Sequence, residues 1–404
     1  MNKLHWLKLS VFLLVLTGCT KEDFTGLEPV ALPCITEAVQ IDYKVESSRL
    51  DFRLLHNNYP EASTPNGPNW GVPIDMAVVD YDNDGILDAI TGNSDYTTGF
   101  AGVITRRKIQ FYKGDCEGNL TLDTREEYYD KFVGPVFARK TIIGDYNNDN
   151  RPDIVFVDNG HDDQTGNSTE LPGSYPIILM SNSEGYFDYV VYEKVFGVWH
   201  TAASADFDND GDLDIYFPYH QVLVNRGDGI FDREPFPFGR EDQAGTLEFY
   251  DLDGDGILEM LYGSSDTPKP RGVDQNESWI ANPSGILGKV PYVEGFGIVS
   301  DFDFYDLDQD GTAEVIVNRT SGPEHVNGHY SGWYVQILKF VDNQLIDVTE
   351  SHIEQNSEFF GEWGWIHWLN VGDTDGDGTI ELYADDINNK FKWELINGFF
   401  YRIV

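Results

Sequence analysis

An all-β fold built from repeated four-stranded units is what this 404-residue chain predicts. Three observations carry the prediction. A nine-residue acidic phrase recurs six times, starting at Asp80, Asp145, Asp206, Asp251, Asp306 and Asp373, at spacings of 45 to 67 residues. Short runs rich in β-branched and aromatic residues flank each copy, the composition of strands. Those runs are too β-branched, and end too soon at turns, to be helices. Four short strands in a repeat of this length describe one blade of a β-propeller.

The N-terminus reads as an address. Lys3 and Lys8 precede an apolar core at 9–16, which is too short to span a bilayer as a permanent helix. Leu16-Thr17-Gly18-Cys19 follows. This resembles a bacterial lipobox, which implies a signal peptide over 1–18, lipidation of Cys19, and export. The acidic run Glu22-Asp23 just after it is similar to the surface-export signal of Bacteroidetes lipoproteins. That resemblance implies an outer-membrane or cell-surface location. Residues 19–34 read as the lipidated tether. Residues 35–69 hold one alternating stretch at 39–45, an edge strand or part of a further blade, and a Pro/Asn-rich loop at 59–69. Cys34 and Cys116 would share the oxidising compartment, where a disulfide is allowed; a bridge and two buried thiols both stay open.

From residue 70 onward one grammar repeats. First strands precede the phrases at 76–79, 141–143 and 247–249. Second strands follow them at 89–90, 154–157, 215–217, 260–262, 315–317 and 382–383. Third strands are expected at 108–112, 176–180, 221–224 and 334–338, and fourth strands at 187–192 and 344–348. Each acidic phrase therefore joins two strands as a hairpin. The last unit, 364–404, holds four strands of its own, which favours six blades; a seventh, drawn from 35–69, stays open.

The phrase itself is calcium chemistry. Asp80-x-Asp82-x-Asp84-Gly85-x-x-Asp88 crowds carboxylates into one turn, where like charges repel. Hard oxygen ligands at alternating positions, with Gly at the sharp bend, suit Ca²⁺; Mg²⁺ prefers to keep several waters. The formal charge is -42, from 27 basic and 69 acidic residues. Six divalent ions would offset roughly +12 of it. A surface this acidic excludes nucleic acid as a partner. The aromatic content, 14%, excludes an acidic disordered chain. No close Cys pair offers a zinc site, and no Gly-x-Ser-x-Gly motif offers a nucleophile.

With its flanking strands, and with Phe-Gly pairs at Phe196-Gly197 and Phe360-Gly361, the phrase resembles the FG-GAP/VCBS repeats of integrin-α-like β-propellers. The resemblance covers residues 70–404. It implies that side chains at phrase positions 1, 3, 5 and 9 hold a structural Ca²⁺, with the carbonyl at position 7. Carried over, the loops would use Asp80, Asp82, Asp84 and Asp88; Asp145, Asn147, Asp149 and Asp153; Asp206, Asp208, Asp210 and Asp214; Asp251, Asp253, Asp255 and Glu259; Asp306, Asp308, Asp310 and Glu314; and Asp373, Asp375, Asp377 and Glu381. The second loop departs most, with Asn147 at position 3 and Asn150 where Gly is expected, and its lower charge predicts a weaker site. A ninth-position Glu, one methylene longer than Asp, predicts a different closure.

Fold does not name function. The face opposite the acidic hairpins carries long loops at 93–107, 158–176, 263–279 and 318–333, where function tends to sit. Candidate ligand residues there are His161, Arg271, His325, His329 and Trp333. Register adds Arg139, His200 and His367, each six residues before a phrase and so near the mouth of the axial channel. The reading is a surface-anchored, calcium-stabilised module binding a glycan or protein. Two alternatives stand beside it: a polysaccharide lyase or hydrolase on the same scaffold, and a structural component of an outer-membrane complex.

Overall fold

A computed structural model describes residues 76–92, 108–115, 120–128, 131–135, 138–158, 160, 173–197, 201–217, 221–238, 244–264, 277–322, 330–358, 365–366, 369–372, 378–385 and 390–403. The expected leader at 1–18, the expected tether at 19–34, residues 35–69, Cys19, Cys34 and Cys116 lie outside them, as do His161, His200, Arg271, His325, His329, His367, Asp373, Asp375 and Asp377.

Six antiparallel sheets form six blades, each running from first to fourth strand in chain order. Blade one is β1 (Met76–Val79), β2 (Asp88–Thr91), β3 (Gln110–Gly114) and β4 (Leu120–Leu122). Blade two is β5 (Ala138–Gly144), β6 (Asp153–Asp158), β7 (Ile177–Ser181) and β8 (Phe187–Val191). Blade three is β9 (Ala203–Ala205), β10 (Asp214–Phe217), β11 (Gln221–Asn225) and β12 (Phe231–Pro235). Blade four is β13 (Ala244–Tyr250), β14 (Glu259–Ser264), β15 (Trp279–Asn282) and β16 (Gly285–Lys289). Blade five is β17 (Ile298–Tyr305), β18 (Glu314–Thr320), β19 (Trp333–Val341) and β20 (Gln344–Asp347), with β21 (Ser357–Glu358) added against β19. Blade six is β22 (Leu369–Gly372), β23 (Glu381–Asp385), β24 (Lys390–Ile396) and β25 (Phe399–Arg402). No α-helix occurs among the described residues, and no helix there is long and apolar enough to cross a membrane.

The ring follows from which strands bury both faces. First strands meet first strands of the next blade: β1 with β5, β5 with β9, β9 with β13, β13 with β17, and β17 with β22. They line the axis. Second strands β2, β6, β10, β14 and β18 are buried at every residue, because a blade lies against each of their faces. Fourth strands β8, β12 and β20 alternate or turn fully to solvent. The core is accordingly a series of slabs between consecutive blades. One slab holds Ile90, Phe111, Ile143 and Phe156 from blades one and two, and another holds Trp333, Ile337, Leu382 and Trp393 from blades five and six.

The strands expected from sequence form with small shifts. The third strand of blade one starts at Gln110, not Lys108, because Lys108 makes only an isolated bridge to Val133. The expected loop at 318–333 is shorter at both ends. β18 continues to Thr320, where it still pairs with Trp333 of β19.

Candidate metal centres

Each acidic phrase is the hairpin from a blade's first strand to its second, and five of the loops share one backbone design. Two left-handed residues curl the chain. The first, at position 4, is Asn83, Asn148, Asn209, Gly254 or Gln309, with φ between 58 and 72°. The second, at position 6, is Gly85, Asn150, Gly211, Gly256 or Gly311, with φ between 62 and 100°. Asn150 thus takes the left-handed turn that glycine takes elsewhere, as its tolerance of that region allows. The curl turns the N–H groups of positions 5 and 6 onto the carboxylate at position 1, at 2.8 to 3.1 Å. Converging N–H groups of this kind fix an anion without a side-chain cation.

Two buried anchors tie the loop to the blade. Position 2 is a core residue: Tyr81, Tyr146, Phe207, Leu252 or Leu307. Position 9 is a buried carboxylate in all six loops, at most 2% exposed from Asp88 to Glu381. Its partners differ between the loops. The three aspartates accept from the last residues of the third strand: Asp88 from Gly114 N–H at 2.9 Å, Asp153 from Ser181 N–H at 2.6 Å, and Asp214 from Asn225 N–H at 2.8 Å. The longer Glu259 and Glu314 fold back to accept the position-2 N–H of Leu252 at 3.0 Å and Leu307 at 2.8 Å.

Four loops bring three carboxylates within 4.8 Å of one another: Asp80, Asp82 and Asp88; Asp206, Asp208 and Asp210; Asp251, Asp253 and Asp255; and Asp306, Asp308 and Glu314. The donor set fits a hard divalent cation. In the first loop Asp88 Oδ2 and Asp82 Oδ1 are buried and receive no hydrogen bond. A buried carboxylate oxygen without a partner is costly, and a cation between the two would supply one. Burial, then the neighbouring acids, pushes the Asp88 carboxyl up to about 8, despite the Gly114 N–H. Burial likewise raises Asp214 and Glu259 to about 7.

The second loop is wired differently, and its carboxylates do not cluster in this way. Asp153 accepts from Tyr146 N–H at 2.7 Å and from the Ser181 hydroxyl at 2.7 Å, besides Ser181 N–H. The same hydroxyl lies 3.0 Å from both oxygens of Asp149. Asn147 donates its amide to Ser181 O at 2.6 Å. Hydrogen bonds from Ser181 thus meet what an ion would meet in the other loops.

Three lysines among the described residues reach phrase carboxylates, and nothing local in sequence singles them out. Lys392 lies 3.3 Å from Glu381 of the sixth loop, and the other two enter loops one and five. Lys113, at the end of β3, pairs with Asp82. Lys339, in β19, lies 2.5 Å from Asp308, 2.8 Å from Asp310 and 3.1 Å from Glu314. The Lys339 ammonium, with help from Thr312, holds the Asp310 carboxyl down at about 2.

Of the expected ligand-face residues, Trp333 needs correction. It is fully buried, packed edge-on against Trp393 at 5.6 Å and tilted against Phe391 at 4.9 Å, so it closes the slab between blades five and six. Arg139 falls in β5 at a register shift between Ala138 and Lys140. The face opposite the hairpins, where third strands begin, carries other aromatics. Tyr175 meets the half-exposed Phe196 at 4.9 Å, and Tyr330 stacks on Trp365 at 4.6 Å.

No family model matches the chain, and no curated protein matches it. Among solved structures it is similar to BBS1N in complex with ARL6DN, soaked with lead, at 11% identity and a TM-score of 0.39, over 82% of this chain and 95% of that one. It is also similar to the exotype rhamnogalacturonan lyase YesX, at 16% identity and a TM-score of 0.39, over 84% of this chain and 56% of that one.

Proposed function

We propose that this chain is a calcium-stabilised, six-bladed propeller of the FG-GAP/VCBS type that serves as a binding module for a glycan or protein. One observation carries the metal reading: Asp88 Oδ2 and Asp82 Oδ1 are buried in one acidic cluster without a hydrogen-bond donor. An ion there would be structural, because the hairpin closes a blade and the ninth ligand sits in the core. Asp80, Asp82, Asp84 and Asp88 would hold it, and the corresponding acids of the third to sixth loops would hold theirs. Such an ion supplies charge neutralisation where several carboxylates converge.

The binding role rests on the other face. A rigid ring presents aromatic rings there, Phe196 and Tyr292 both at least half exposed, away from the acid hairpins. Rings of this kind suit the apolar faces of sugars or a protein loop. The lipobox-like Leu16-Thr17-Gly18-Cys19 supports a lipid anchor at an outer membrane or cell surface.

Two measurements test the proposal. Metal analysis of calcium-replete protein is expected to find several bound ions, and EDTA is expected to lower Tm. A glycan array and a pull-down with the mature chain are expected to return a saturable ligand. Absence of bound calcium removes the metal reading. Turnover of a polysaccharide panel replaces the binding role with an enzymatic one.

A further inference from the structure

We infer that Lys339 is the resident cation of the fifth loop: its ammonium takes the seat a divalent ion would take, so this hairpin holds its fold without metal and binds calcium more weakly than the third and fourth. The inference rests on the calcium reading above and refines it to a ranking of sites.

The placement follows from register. The pairs Ala89–Tyr112, Ile154–Leu179, Ile215–Leu223, Met260–Ala281 and Val315–Leu338 put residues 113, 180, 224, 282 and 339 across from the ninth position of loops one to five. Those residues are Lys113, Met180, Val224, Asn282 and Lys339. A side chain at this position starts across from the buried ninth carboxylate, and from it Lys113 and Lys339 reach acids of the turn. Met180, Val224 and Asn282 carry no charge to put there. Two loops have a lysine at this place, and they use it differently.

Lys339 reaches phrase positions 3, 5 and 9 together, at 2.5, 2.8 and 3.1 Å. Glu314 is fully buried, and its Oε1 receives no well-aligned hydrogen bond; the ammonium 3.1 Å away is its counter-charge. The other oxygen, Oε2, is held by Leu307 N–H. The ammonium therefore stands where three of the four phrase carboxylates converge. Lys113 pairs with Asp82 alone, Arg125 lies 3.5 Å from the same carboxylate, and Asp88 Oδ2 keeps no donor, so the first loop is only partly neutralised. In the third loop the nearby Arg226 turns to Asp232 and Glu234 instead, at 3.0 and 3.8 Å. An incoming divalent ion would have to displace the Lys339 ammonium or bind against its charge, and either lowers affinity.

Hydrogen exchange and calcium titration of the full mature chain, wild type and Lys339→Met, test this. In EDTA the wild-type amides of 306–314 are expected to stay protected, while those of 206–214 and 251–259 exchange faster and slow on adding Ca²⁺. In Lys339→Met, the 306–314 amides are expected to exchange about tenfold faster or more in EDTA. Calcium should restore their protection, at a lower concentration than any change at this loop in wild type. If the fifth loop of the wild type opens in EDTA as readily as the third, the inference is overturned. Unchanged fifth-loop exchange and calcium affinity in Lys339→Met overturn it too. Should the variant fail to fold, the wild-type comparison between loops decides alone. If no loop of the wild type responds to Ca²⁺, yet Lys339→Met loosens 306–314, the calcium reading fails while the lysine keeps its role as internal cation.

Discussion

Lys140 of blade two reaches Glu248 of blade four, Nζ to Oε1 at 2.6 Å, across a sequence separation of 108 residues. Both lie on innermost strands, and both side chains are nearly buried, 11% and 6% exposed. The axis is thus narrow enough for side chains of non-adjacent blades to touch. Removing one charge of such a pair costs more than replacing both. Lys140→Met or Glu248→Leu alone is expected to cost about 3 kcal/mol or more, and the double variant to recover much of it. A double-mutant cycle by denaturant unfolding checks this; additive losses would contradict it.

Four of the ninth carboxylates give the metal-free protein an unusual pH dependence. Asp88 lies at about 8, and Asp153, Asp214 and Glu259 at about 7, each raised first by burial. In the unfolded chain they would titrate near ~4. Between those values the folded state holds more protons than the unfolded one, so stability falls as pH rises. In EDTA, Tm is expected to drop from pH 5 to pH 8. Calcium binds the ionised forms, so the Tm difference between calcium and EDTA is expected to widen over the same range. A difference that stays constant with pH would count against these carboxylates as ligands.

Asp88→Asn separates repulsion from ligation. The amide oxygen can still accept from Gly114 N–H, but the buried charge is gone. At pH 8 in EDTA the variant is expected to melt higher than wild type. In calcium it is expected to gain less, because a charged ligand is lost. A variant that melts lower in both buffers would make Asp88 a purely structural hydrogen-bonding group.

Ser181→Ala probes the loop that works by hydrogen bonds. Removing the hydroxyl takes away the one O–H that Asp149 and Asp153 share. The loss is expected to be about 1–3 kcal/mol, the cost of unsatisfied buried acceptors. Calcium is expected to leave that loss unchanged. Rescue by calcium would instead show that the second loop takes an ion once the hydroxyl is gone.

The six-fold acidic phrase and its flanking strands were legible because both are local patterns. A hairpin's turn residues and its period-two runs lie within about a dozen neighbours, so blades β1–β4 through β22–β25 could be read as units. The donors that complete the first two loops come from the third strand, 26 or more residues away: the Gly114 N–H for Asp88, and the Ser181 N–H and hydroxyl for Asp153. Lys113 and Lys339 were passed over for the same reason. Nothing near them in sequence marks a lysine as facing an acid turn until the strand register is known. Trp333 misled in the opposite direction. Its place beside a long loop read as surface, whereas β19 begins with it and seats it against blade six.

By itself the sequence determined the repeat, the strand order within each unit and the crowding of carboxylates at every hairpin, since each follows from residue type at fixed short spacing. Only the tertiary structure decided how those charges are met. Hydrogen bonds from Ser181 meet them in one loop, the Lys339 ammonium meets them in another, and in the first loop two buried oxygens are left without a donor. Local chemistry sets which charges a turn holds, but their cost depends on what the packed blades bring within about 3 Å of them, and that is a property of the ring.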